Sequence, residues 1–243
     1  MKMLTFAKRN FKEIIRDPLN IAFGLGFPLV LLCLLSVIQK NIPVSLFEID
    51  SLTPGITVFG LSFMTLFSSM IIAKDRGSAL LQRLYTTPMR ASDFILGYTL
   101  PIIPLSVLQC AVCYAAAFLF GLKPTVNILY AVLFILPVSV MFVSLGLLCG
   151  SVLNEKQVGG VCGALLANLS GWLSGIWFDL ELLGETVGRI AKCLPFVHAV
   201  EMERAALAGD FSAALPHLWW ILGYDAVLLT ASILLFLRQM KKQ

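Results

Sequence analysis

The sequence predicts an all-α integral membrane protein. It would have six transmembrane helices, an N-terminal interfacial helix, a short cytoplasmic amphipathic helix between spans two and three, and an outer re-entrant helical hairpin. Three observations predict this. Of the 243 residues 58% are apolar and only 13% charged, with a mean hydropathy of +0.89, whereas soluble domains carry about 25% charged residues. Charge-poor apolar runs recur at about 20–38, 52–73, 94–120, 125–150, 158–178 and 217–237, each close to the roughly 20 residues that cross a hydrocarbon core. Basic residues are also unevenly divided. Six spans put both termini on one side, and that side holds thirteen Lys and Arg against five on the other. The positive-inside bias then makes both termini cytoplasmic. The net charge of +4 reflects this topology and calls for no nucleic-acid partner.

Residues 1–18 form the first element. Leu4, Ala7, Phe11, Ile14 and Ile15 recur at three-to-four spacing between Lys8, Arg9, Lys12, Glu13 and Arg16, the pattern of a helix lying in the membrane plane. Pro18 ends it. A basic stretch before an apolar run resembles a signal peptide, but no small-residue cleavage site follows, so the first span is read as uncleaved. The loop at 39–51 is too short to be a binding domain. Span two opens with LTPG at 52–55, where Pro54 is an early helical residue and Gly55 permits close approach.

The next stretch, 74–93, reads KDRGSALLQRLYTTPMRASD. Leu80, Leu81, Leu84 and Tyr85 share one face of a short amphipathic helix. Gly77 lies near its bend, Pro88 stops it, and Asp93 stands where span three should be capped. A helix, a proline turn and a capped restart in twenty residues make a compact cytoplasmic projection. Spans three and four are joined by GLKPT at 121–125, and four and five by SVLNEKQ at 151–157. Pro101, Pro104 and Pro137 predict bent helices. In span five, Gly159, Gly163, Ala167, Gly171 and Gly175 form a small-residue ladder suited to close helix packing. The connection at 179–216 carries six acidic and three basic residues with much apolar content between them. It reads as two short amphipathic segments around Pro195 that half-enter the membrane from outside, or as an outer loop with surface helices.

No catalytic constellation is visible. The two histidines are His198 and His217. The chain has no HExxH or GxSxG motif and no GxxxxGK[ST] loop, so it is not expected to be an enzyme, to hold ATP itself or to bind a metal. Cys110 and Cys113 have CxxC spacing, but within an apolar helix they read as small apolar filling. Asp225 is the one acid well inside an apolar run. It is expected to serve structural pairing, to line the outer vestibule, or to contact a transported substrate or ion. Asn168, Tyr114, Gln109 and Tyr130 are weaker candidates for polar lining. A secondary transporter or an intramembrane enzyme is the alternative class. The first normally shows inverted repeats and a midplane coupling site, and the second a convergent reactive group; neither is visible.

The stretch 52–100 carries the most specific pattern: Pro54-Gly55, then Asp75-Arg76-Gly77-Ser78, then Leu81, Arg83, Leu84 and Pro88 before the restart. Leu173-Ser174-Gly175, Leu194-Pro195-Phe196, Arg204 and Gly209 match more loosely. With these residues the chain resembles the membrane-spanning subunits of type-2 ABC exporters, the ABC-2 permease family of bacterial drug, lipid and polysaccharide export. The family's usual glutamate is Asp75 here, and Ile176-Trp177-Phe178-Asp179 replaces a Pro-containing stretch. The resemblance implies a single ABC-2 transmembrane domain over 1–243 in a bacterial cell membrane. It implies ATP and Mg bound by separate nucleotide-binding subunits, a second copy of the chain, and an amphipathic substrate (a drug, lipid or hydrophobic peptide). Residues 74–93 would be the coupling loop, with Asp75, Arg76, Gly77, Leu80, Arg83, Leu84, Tyr85 and Pro88 facing the ATPase. Residues 179–216 would be the outer re-entrant connection. Trp177 joins Asp225, Asn168 and Tyr114 as a residue of the route or its gate.

Overall fold

A computed structural model describes residues 2–78 and 89–240. The described residues are mostly helical, with no strand among them. Among the described residues five helices are long and apolar enough to cross a membrane. They are preceded by the amphipathic α1, Lys2–Arg16. The five are α2 (Pro18–Asn41, with a π-helical turn at Ala22–Gly26), α3 (Ile49–Gly77), α4 (Ala91–Leu119), α5 (Asn127–Val152) and, at the end of the chain, α9 (Phe211–Met240).

Local chemistry explains the boundaries. The Asp17 carboxylate accepts from the Leu19 amide at 3.0 Å and Pro18 is the first residue of α2, so cap and proline together separate α1 from α2. Asp93 lies one turn inside α4, where its carboxylate accepts from the Arg90 amide at 2.9 Å. It closes a capping box from the third helical position and is not the cap residue itself. α4 is interrupted at 100–101, as Pro101 predicts. Pro137, by contrast, lies within the continuous helix α5.

α3 is the central post of the bundle, packed chiefly against α5 and buried over 89% of its most apolar window. Burial on all sides explains its small hydroxyl residues. Thr53, Thr57, Ser62 and Ser69 return their hydroxyls to carbonyls of their own helix, and Thr65 reaches the Phe142 carbonyl of α5 at 2.7 Å. These five donors are thereby satisfied, whereas the buried Ser68 hydroxyl of the same helix has no partner among the described residues. α5 approaches through Gly146 and Gly150. A Cβ on either would lie 2.7–2.8 Å from the nearest atom of Ser68 or Ile72, with the α3 carbonyls of Thr65 and Ser69 at 2.9 and 2.8 Å.

The fifth span expected at 158–178 has a different construction. Residues 155–172 form α6 from three pieces: an α-helical start at Glu155–Val158, a π-helix at Gly159–Leu166, and α-helix again at Ala167–Trp172. Its apolar part is shorter than the roughly 20 residues of an ordinary span. It nevertheless runs antiparallel to α3 from Ala73 to Phe59, and the turn beyond it reaches Gly55. Val158 clusters with Ala73, Gly163 meets Leu66, Gly171 meets Phe59, and Ile176 covers Gly55. The predicted small-residue ladder does not act as one packing face. Gly159 faces open space, Gly163 makes ordinary contact, and Gly175 has φ +74° in the turn beyond the helix.

Two helices follow at the far end, α7 (Glu185–Cys193) and α8 (Pro195–Ala208), split at Pro195 as the sequence predicts. Gly209, at φ +81°, closes α8 in the left-handed conformation while Asn127 lies against its α-carbon. Phe236 near the end of α9 packs on Phe94 and Tyr98, which also receive Phe6 of α1. α1 and the last turns of α9 therefore lie at the same end of the bundle.

Candidate functional site

The charged residues concentrate where α1, α3 and α4 meet, one turn before the segment 79–88. Asp75 is 2% exposed. Its carboxylate receives both terminal nitrogens of Arg9, at 2.6 and 2.9 Å, and the Tyr98 hydroxyl at 3.1 Å. This is a bidentate guanidinium–carboxylate pair with a third donor, the geometry in which such pairs are strong. Burial works against the Arg9 charge, but Asp75 outweighs it and holds the guanidinium above its ordinary value. Glu13 bridges Arg9 at 2.6 Å and Lys74 at 2.8 Å. Beside them Asn10 donates to the Gly97 carbonyl at 2.9 Å, and Phe6 lies so close to Gly97 that a Cβ there would meet its ring at 2.3 Å.

The neighbouring Arg76 points the other way. Its guanidinium donates to the carbonyls of Gly150, Val152 and Leu153, satisfying the free C-terminal carbonyls of α5 with a cation where the helix dipole favours one. Two consecutive residues thus tie the end of α3 to α1 and α4 on one side and to α5 on the other. Gly77 ends α3, and Ser78 caps back onto the Asp75 carbonyl at 3.0 Å. Leu80, Arg83, Leu84, Tyr85 and Pro88, the rest of the predicted coupling surface, lie outside the described residues.

In α1 the buried face is Phe6, Ala7, Asn10 and Ile14, while Leu4 and Ile15 are exposed. The predicted stripe is thus rotated, because Asn10 is drawn inward by the Gly97 carbonyl. A polar residue on a packing face gives no hydrophobic signal, and for that reason Asn10 and Gly97 were not legible as partners.

At the opposite end, Arg204 of α8 binds the carbonyls of Ser51 and Gly175 at 3.2 and 3.0 Å, and Glu201 at 2.8 Å. One side chain thereby fastens the α7–α8 hairpin to the start of α3 and the turn after α6. Two turns below the start of α8, Glu203 is fully buried with neither oxygen hydrogen-bonded, and burial pushes its carboxyl well above the ordinary range. Its sequence neighbours Glu201 and Arg204 pair with each other at 2.8 Å and leave Glu203 facing the interior.

His198 lies between the hairpin and α9. Its Nε2 is 3.0 Å from the Lys192 carbonyl, and its Nδ1 is 2.8 Å from Nδ1 of His217. A carbonyl only accepts, so His198 carries its proton on Nε2 and His217 donates from Nδ1. Trp220 stacks on His198 at 4.7 Å. Burial and then His217 lower the His198 pKa. A lowered value in the folded state means that protonation favours the open or unfolded chain. The contact's contribution is therefore full above about pH 6.5, the unperturbed value, and is lost as pH falls through and below it. The expected result is a Tm that falls more steeply between pH 7.5 and 5.5 in the wild type than in His198→Gln. Equal slopes would refute this assignment.

The proposed route residues are not gathered on one surface. Tyr114 is 2% exposed, its hydroxyl unpartnered. Asn168 is exposed and donates to Ala164 of its own helix. Trp177 packs edge-on against Phe59. Asp225 is buried, with Oδ1 unpartnered. Gln109 is fully buried and seated against Gly60, whose hydrogen in place of a side chain leaves room for its amide. Tyr130 packs on Phe211. Cys110 and Cys113 are buried free thiols. Among the described residues no cluster of His, Cys, Asp or Glu could hold a metal ion.

A family profile described as ABC-2 type transporter matches residues 1–208. No curated protein matches the chain.

Proposed function

The chain belongs to the ABC-2 type transporter family, and on that premise we propose that it is the permease subunit of an ATP-driven exporter. The family makes it a multi-pass membrane transport subunit that works with an ABC ATPase. We further infer two copies of the chain over two ATPase subunits that bind ATP and Mg, in a bacterial cell membrane, exporting an amphipathic drug, lipid or hydrophobic peptide.

Six crossings with both termini cytoplasmic fit this reading. α6 follows α3 antiparallel from Ala73 to Phe59, with Ile176 of the next turn over Gly55, and α1 shares an end of the bundle with Phe236. The π-helical α6 would then be the fifth crossing, and the α7–α8 hairpin that follows it would form the outer re-entrant part. π turns recur at functional sites, and Arg204 is placed to hold the hairpin shut.

The observation that carries the proposal is the pair Asp75–Arg76. ATP-driven movement of segment 79–88 would pull on α3 immediately beneath it. From there it would pass through Asp75 to α1 and α4, and through Arg76 to α5. Coupling requires such contiguous rigid connections. The test is copurification of the tagged chain from crosslinked membranes, with bound ATPases identified by mass spectrometry, in wild type and Leu84→Asp. Recovery of a nucleotide-binding subunit with wild type and its loss with Leu84→Asp is the expected result. Absence of any such subunit with wild type would overturn the exporter reading.

A further inference from the structure

Between α1 and α3 lies an open groove of about 790 Å³ whose two walls differ in chemistry. Its floor is the side of a spanning helix, where Met70 is half-buried and Phe67 and Ile71 present only their edges. Its rim is α1, where Lys8, Lys12 and Arg16 recur every four residues and so stand in one row. The lining has five cations, the others being Arg9 and Lys74, against two carboxylates, Glu13 and Asp17.

Those carboxylates are already engaged. Glu13 holds Arg9 and Lys74, and Asp17 caps α2. The exposed Lys8, Lys12 and Arg16 have no carboxylate partner among the described residues. A positive rim is thus left over beside an apolar floor. An acidic protein segment would satisfy the rim but has no reason to cover Phe67, Met70 and Ile71. An inorganic anion would use the rim alone. A molecule with an anionic head and an apolar body uses both.

We propose that the groove between α1 and α3 binds an anionic phospholipid of the surrounding bilayer, its phosphate on Lys8, Lys12 and Arg16 and its acyl chains along Phe67, Met70 and Ile71. The site adjoins the Arg9–Asp75 pair, so an occupant stabilises α1 against α3. The inference stands on the groove's own chemistry and is independent of the transported substrate.

The test is native mass spectrometry of the full chain in detergent with equimolar dioleoyl-phosphatidylglycerol and dioleoyl-phosphatidylcholine. A basic residue near an anionic headgroup is worth roughly a factor of five. The first bound lipid should therefore be phosphatidylglycerol by about tenfold or more in the wild type. In Lys8→Gln/Lys12→Gln/Arg16→Gln the preference should fall to within about twofold, while Lys123→Gln/Lys192→Gln, in the α4–α5 connection and in α7, keeps it. Met70→Trp, which fills the floor and leaves every charge in place, should lower total occupancy of that first site. An unchanged preference in the triple variant overturns the proposal. So does displacement of the lipid by inorganic phosphate beyond that by chloride at equal ionic strength, which would make the ligand a free anion.

Discussion

Asp75→Ala is expected to lower the thermal stability of the purified chain by roughly 10 °C and to release α1 from the bundle. The substitution removes three charge-assisted hydrogen bonds and leaves the half-buried Arg9 with Glu13 and Asn10 as its remaining partners. Hydrogen bonds to charged groups are worth about 1.5–3 kcal/mol net, and in a chain of this size 1 kcal/mol moves Tm by about 2–4 °C. Protease nicking at the α1–α2 junction around Asp17 should accelerate in parallel. Arg9→Gln should do the same, and Arg9→Gln/Asp75→Ala should cost clearly less than the two single losses added. Contacting partners are not additive. Strict additivity in this cycle would mean that the pair is not an energetic unit, and the path from segment 79–88 into α1 would be lost with it.

The pair shows what the sequence could and could not reveal. Asp75, Arg76 and Gly77 were recognisable because they stand in a charged interruption between apolar runs, where polar residues need a reason. Their partners were not. Arg9 looked like one more solvated cation of an amphipathic leader, and Tyr98 like a residue within an apolar span. Both are found 66 and 23 residues away from Asp75, and neither carries a local periodic signal. The helices themselves were legible because span length and charge asymmetry are properties of composition. α6 was the exception. Its Gly-rich run reads as an ordinary span, but glycines without β-carbons accommodate the π-helical winding at Gly159–Leu166, which hydropathy does not register. Buried Glu203 was missed for the opposite reason, since an acid among Glu201 and Arg204 is usually solvated.

Gly150→Leu is expected to abolish the folded bundle, and Gly159→Ala to leave it unchanged. At Gly150 the new Cβ would stand 2.8 Å from the Ser69 carbonyl and 2.9 Å from its α-carbon. These are backbone atoms of the central helix, so relief requires moving α5 away from α3 along the longest contact in the molecule. Overpacking a well-filled core costs about 1–3 kcal/mol even where side chains can adjust. Here they cannot, and the hydrogen bond from Thr65 to the Phe142 carbonyl would be strained in the same movement. Gly159 has nothing within 4 Å of the corresponding position. Fluorescence-detected size-exclusion of fusion proteins measures both: the monodisperse peak should vanish for Gly150→Leu and persist for Gly159→Ala. By spacing alone the longer Gly159–Gly175 ladder is the stronger packing signal, and the reverse outcome would place the tight helix contact there. The distances assign it to Gly146 and Gly150, because closeness to a backbone decides which glycines a membrane bundle cannot lose.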